Sequence, residues 1–99
     1  MAILNKSSSL NIVLDPKKTK RKYPEARIIV LDDDFNTFEH VANSLETIIP
    51  GMSRERSWKL TVEVDSEGSA EVWRGLIEQA ELYHHQLLSK GLTMAPIEV

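Results

Sequence analysis

Four aliphatic residues, Ile28-Ile29-Val30-Leu31, run straight into three acids, Asp32-Asp33-Asp34, and then into Phe35-Asn36-Thr37-Phe38-Glu39-His40-Val41. An apolar run of that length suits a buried strand and is too short for a helix. The strand must end where the charges begin. Asn36 and Glu39 stand at capping-box spacing, with Asn in place of the usual Ser or Thr, so Asn36 or Thr37 is expected to satisfy the orphan amides of a helix entering at Thr37 or Phe38. Asp32 to Asp34 then crowd the mouth of that helix. Its positive dipole end accepts one or two carboxylates, and three exceed what capping needs. The surplus asks for a cation: a metal, a basic side chain of the same chain, a ligand ammonium, or water alone.

The rest of the chain supports one small domain, because 99 residues at 41% hydrophobic content leave room for a single core of modest burial. The absence of cysteine removes disulfides, thiolate chemistry and Cys-ligated zinc together, as a reducing compartment permits. No run approaches the roughly eighteen apolar residues of a membrane span, and Leu10 to Leu14 is too interrupted for a signal-peptide core. A soluble, cytoplasmic protein is expected, with no membrane partner. Charge is unevenly placed: residues 1–26 carry six basic residues against two acids, a balance of +4, and the remainder carries six against thirteen, a balance of -7. A flexible basic extension over 1–25 thus precedes an acidic domain over 26–99. Within the extension, Pro16-Lys17-Lys18-Thr19-Lys20-Arg21-Lys22 reads either as a solvated tail or as a nuclear-localisation or nucleic-acid patch.

Beyond the acidic corner, Phe38, Val41, Leu45, Ile48 and Ile49 recur at spacings of three and four, one face of an amphipathic helix that Pro50-Gly51 ends. Trp58 to Val64 alternates apolar and polar residues and by itself reads as a strand. Against that, Ser53 is a plausible N-cap, Leu60 and Val64 fall four apart, and Asp65-Ser66-Glu67-Gly68 supplies a turn, so a helix over about 53–66 is the expectation. Ser69 to Arg74 follows as a strand with Ala70 and Val72 on one face and Trp73 on the other. Leu76, Ile77, Ala80, Tyr83, His84 and Leu87 then mark a third helix, stopped by Gly91, and Leu92 to Val99 completes an edge strand that tolerates Pro96. The fold class is α+β: one domain, β-α-α-β-α-β, a split sheet with helices packed on it.

Enzymatic and metal chemistry find little support in the spacing. Asp32, Asp34 and Asn36 match the first three ligand positions of an EF-hand loop, but Thr37 stands where Gly is required and Asn43 where the bidentate Glu belongs. A loosely specified magnesium site remains an alternative. No nucleophile is paired with a base, and His84 and His85, adjacent on a helix, point about 100 degrees apart and cannot chelate together. His40 stands on no ligand spacing. Trp58, Trp73 and Tyr83 read as core anchors, and the acidic balance around them disfavours nucleic acid on the folded part. No catalytic residue, metal or cofactor is expected.

The order strand, acidic triplet, aromatic, polar residue and helix beginning Phe38-Glu39-His40-Val41 resembles the N-degron-binding motif of the ClpS family of Clp protease adaptors, and the resemblance extends over roughly residues 27–99. It implies a split fold akin to the C-terminal domain of the ribosomal stalk protein. It implies a non-enzymatic adaptor that holds the free N-terminal amine of a substrate, seats its bulky first side chain (Leu, Phe, Trp or Tyr) in an apolar pocket, and delivers it to a Clp-family AAA+ unfoldase of ClpA or ClpC type. Cytoplasm or plastid stroma would be the setting, and the basic extension would engage the unfoldase. Carried onto this chain, the amine would meet Asp32, Asp33, Asn36 and Asp65, and the pocket walls would be Phe38, Val41, Thr61 and Val64. Glu78 and Tyr83 would face the unfoldase. An adaptor that docks without recognising N-degrons, or a small metal- or nucleic-acid-associated domain, is the alternative.

Several positions depart from the family pattern. Asp32 stands for Asn, Asn36 for Thr, Thr37 for Pro, and Asp65 for His, while Phe38 and Thr61 each replace a Met and Tyr83 replaces a Lys. An α-amino group has an ordinary pKa of about 7.7 to 8.0, so the added carboxylates should keep it protonated. The same acids repel one another when no cation is bound, which invites an intramolecular lysine as a lock. Exchanging two adaptable Met side chains for one rigid ring and one small wall leaves the preferred first residue open.

Overall fold

The computed structural model describes residues 25–99. The extension expected over 1–25 therefore lies outside the described residues, save Glu25. Strand β1 is Ala26–Leu31, and Ala26, Ile28 and Val30 alternate inward to full burial. Helix α1 (Phe38–Ile48) follows the acidic corner, α2 is Arg54–Glu67, β2 is Ser69–Gly75 and α3 is Ile77–Ser89. β1 starts two residues before the aliphatic run does, because Ala26 pairs with Gly75 at the end of an antiparallel ladder.

The ladder runs from Ala26–Gly75 to Leu31–Ser69 and slips once, between Ile28–Trp73 and Ile29–Glu71. Val72 is the extra residue at this bulge. It is buried, as is Ala70, and Trp73, paired with the buried Ile28, lies on that same inner face against Tyr83 with ring centroids 5.2 Å apart, not on the opposite face that plain alternation predicts. The extra residue shifts the alternation by one, so that Val72 and Trp73 both turn inward. On its other edge β1 meets the returning C-terminal segment, antiparallel, through Leu31 N to Thr93 O at 2.8 Å, Ala95 N to Ile29 O at 3.0 Å and Arg27 N to Glu98 O at 2.7 Å. The expected final strand is thus reduced to isolated bridges at Met94 and Glu98. Pro96, with no N–H to donate, sits between them.

The ambiguous segment is helical. Ser53 Oγ accepts from Arg56 N at 3.0 Å, capping α2, and Gly68 closes it in the left-handed region (φ 91°), its N–H donating to Val64 O. Ser57, Leu60, Thr61 and Val64 are buried at spacings of three and four, and this face of α2 packs on α1 and β2. Burial at the helical period outweighs the apparent alternation, since Val62 and Trp58, which created it, remain exposed. Trp58 is therefore not the core anchor its residue type suggested. The core is filled by Ile28, Val30, Leu45, Val72 and Leu87 between the helices and the inner face of the sheet. Among the described residues no helix is long and apolar enough to cross a membrane.

Candidate functional site

At the exit of β1 the chain turns through the three acids before α1 begins, and Asp33 builds the turn. Its Oδ1 accepts the backbone N–H groups of Phe35 and Asn36, both at 2.8 Å, and its Oδ2 accepts Asn36 Nδ2 and Thr93 Oγ1, both at 2.7 Å. Four bonds fill the roughly four acceptor positions of a carboxylate. They also stabilise its anion, the Asn36 amide foremost and Thr93 next, and hold Asp33 far below the ordinary carboxylate range against the opposing effect of burial. Asp33 is thus anionic and saturated.

Asn36 is oriented by the same network. Its Nδ2 donates to Asp33 Oδ2 and, at 3.0 Å, to the carbonyl of Gly91, which fixes the amide and leaves Oδ1 turned away from those partners. Helix capping falls instead to Thr37, whose Oγ1 accepts from His40 N at 3.1 Å. His40 in turn bonds the Lys90 carbonyl through Nε2 at 2.7 Å, a second tie between α1 and the segment after α3. The capping role had been open between Asn36 and Thr37; long-range ties explain why Asn36 is not available for it.

A hollow of about 60 Å³ opens beside this corner, lined by Leu31, Asp32, Asp33, Asn36, Phe38, Val41, Thr61, Val64 and Asp65. The eight residues expected at the amine grip and the apolar pocket are brought together here, drawn from the corner, α1 and α2. Leu31 joins them at the end of β1. Val41, Thr61 and Val64 are buried and rigidly placed by the core, whereas Phe38 is 39% exposed and meets Trp58 edge to face, centroids 6.0 Å apart. Thr61 is less polar than its hydroxyl implies, because Oγ1 donates to Ser57 O of its own helix at 2.8 Å. Asp32, Asp34 and Asp65 form no ion pair among the described residues. No lysine among the described residues forms the lock considered for the corner.

The docking candidates lie elsewhere on the fold. Glu78 is exposed in the first turn of α3, and Tyr83 is half buried against Trp73. Of the histidines, His84 bonds the Ala95 carbonyl through Nε2 at 2.8 Å, and no group of three or more His, Cys, Asp or Glu among the described residues is placed to hold a metal. Thr93, Gly91 and Trp58 were not anticipated. Thr93 and Gly91 lie 60 and 55 positions from their partners Asp33 and Asn36, so no local pattern announces them.

Known proteins are similar to this chain in sequence and in architecture. Residues 21–95 match the family described as ATP-dependent Clp protease adaptor protein ClpS. An ATP-dependent Clp protease adapter protein ClpS of Thermosynechococcus vestitus is 59% identical over 80 residues, 81% of this chain and 85% of that one. The chloroplastic adapter CLPS1 of Arabidopsis thaliana is 33% identical over 78 residues, 79% of this chain and 49% of that one. The fold superimposes on the structure of Agrobacterium tumefaciens ClpS2 bound to L-phenylalaninamide with a TM-score of 0.68, at 21% identity over 75% of this chain and 96% of the other. With the family match spanning most of the sequence, the chain belongs to ClpS, the adaptors of the ATP-dependent Clp protease.

Proposed function

We propose that this adaptor captures proteins by a free N-terminal amine and a bulky apolar first side chain, and hands them to a Clp-type unfoldase. The observation that carries the reading is the hollow itself, which is lined both by carboxylates that form no ion pair among the described residues and by buried aliphatic side chains. An α-ammonium with its side chain presents the same two chemistries a few ångströms apart. The phenylalaninamide held by the Agrobacterium protein has both.

Within this reading the residues divide the work. Asp32 and Asp65 supply accessible charge for the ammonium, and Asn36 offers Oδ1 as a neutral acceptor whose direction is fixed. Asp33, its own oxygens occupied, contributes negative charge through space and holds Asn36 in place. Val41, Thr61, Val64 and Phe38 receive the side chain. Burying a Leu or Phe contributes about 1.5–3 kcal/mol and each charged hydrogen bond about as much. After the cost of association, a dissociation constant of roughly micromolar is expected. Glu78 and Tyr83 on α3 are the proposed contacts to an unfoldase of ClpA or ClpC type. The cyanobacterial and chloroplast relatives support cytoplasm or plastid stroma as its compartment.

Peptides identical except for a first Leu, Phe or Ala provide the test by calorimetry. Leu and Phe should bind and Ala should not, and N-acetylation of the Leu peptide should abolish binding. Equal affinity for all three, or indifference to acetylation, would exclude the reading.

A further inference from the structure

Phe38 is the exposed apolar wall of the hollow, standing at the first residue of α1 with 39% of its surface in solvent. What faces its ring is Trp58 of α2, 43% exposed and absent from the lining of the hollow. The planes meet at 67°, with centroids 6.0 Å apart. This edge-to-face arrangement is one that aromatic quadrupoles favour. Trp58 fills no gap in the core, yet it stands one turn before Thr61, one wall of the hollow, and meets the ring of Phe38, another.

We infer that Trp58 is a positioning residue for substrate size: by bracing Phe38 it sets the width of the hollow and with it the preference among first residues. The inference rests on the N-terminal-residue reading above. With Phe38 as placed, the hollow measures about 60 Å³. A benzene-sized guest fills an enclosed void of about 150 Å³, so even an open-mouthed hollow of this size is narrow for an aromatic ring and narrower still for an indole. Removing the brace frees Phe38 to reach other staggered rotamers and swing outward. The braced site therefore favours a Leu side chain over Trp, and the unbraced site discriminates less.

The experiment is a calorimetric titration of the wild-type chain, Trp58→Ala and Trp58→Phe with Leu-first and Trp-first peptides of otherwise identical sequence. The wild type should prefer Leu. Trp58→Ala should narrow that preference by about two- to tenfold, the worth of one edge-to-face pair, mainly through tighter Trp-first binding. Trp58→Phe, which restores an aromatic edge, should keep most of the preference. An unchanged ratio in Trp58→Ala, an equal weakening of both peptides, or a wild type that prefers Trp overturns the inference while leaving N-terminal recognition intact. Failure of the wild type to bind either peptide would instead remove the recognition reading itself. A second readout is optical: the chain has two tryptophans, so in a Trp73→Phe background Trp58 alone reports. Its emission should shift when the Leu-first peptide binds, and an unmoved spectrum counts against the brace.

Discussion

Two sets of carboxylates flank β1, and they are neutralised in different ways. On the outer face of the sheet, Glu71 accepts from Arg74 Nη2 at 2.9 Å and Nε at 3.2 Å and pairs with Arg27 at 3.3 Å, while Arg27 also pairs with Glu98. At the exit of the strand, Asp33 is held by two backbone amides, a carboxamide and a hydroxyl, none of them charged. Both carboxyls titrate below their ordinary range, Glu71 chiefly through Arg74 and Asp33 chiefly through the Asn36 amide. The difference is in what remains. Arginine partners cancel the negative charge around Glu71, whereas neutral donors stabilise the Asp33 anion and leave the local field negative, with Asp32 and Asp65 adding to it. A cluster of acids keeps a negative field when its structural bonds come from neutral groups.

That contrast is sharpest at Asp65. Placing a fixed ammonium there, in Asp65→Lys, should weaken Leu-first peptide binding by more than about tenfold, because a charged hydrogen bond is lost and a like charge introduced. The thermal midpoint should move little, since Asp65 is exposed. Retained affinity would mean that the unpaired acids are not the receptor. Asp33→Ala should differ in kind: it leaves two backbone amides and Thr93 without their acceptor, so stability should fall by about 1–3 kcal/mol in urea titrations and binding should weaken with it.

Acid provides a third comparison. The folded pKa of Asp33 is depressed, so its contribution is fully present above the ordinary carboxylate value of about 3.9 and is lost as pH falls toward the lower folded value. The urea midpoint of the wild type should therefore drop more steeply than that of Asp33→Asn as pH is lowered below about 5. Parallel curves would show that the bonds to Asp33 do not stabilise its anion. The smallest effect is expected at the arginine cluster. Arg74→Met should leave the urea midpoint nearly unchanged, as loss of an exposed ion pair does, and should leave peptide affinity unchanged. A large loss of binding there would break the division between the two sets of acids.

Much of this arrangement is legible in the chain. The run Ile28 to Leu31 and the period of Val41, Leu45 and Ile49 depend on local burial, and both elements form as their patterns require. Where two patterns compete, as from Trp58 to Val64, the cap at Ser53 and the stop at Gly68 decide, because they close a helix at both ends. Eight of the nine residues lining the hollow were nameable because family resemblance aligned them, although the walls come from two helices and no spacing rule joins them. Illegible were the contacts made across the fold. Thr93 as a partner of Asp33, Gly91 as a partner of Asn36, and Trp58 as a neighbour of Phe38 all depend on docking of separate elements. The last strand failed for a local reason, Pro96 between its two bridges, which favours an edge but not a continuous ladder.

The tie from Thr93 back to Asp33 has a consequence for the life of the molecule. If the proposed reading holds, the grip on a client's first residue exists only after the tail of the domain has come home to its beginning, so a half-synthesised or partly melted copy would have no hand to close. On that reading, recruitment would wait on completion of the fold.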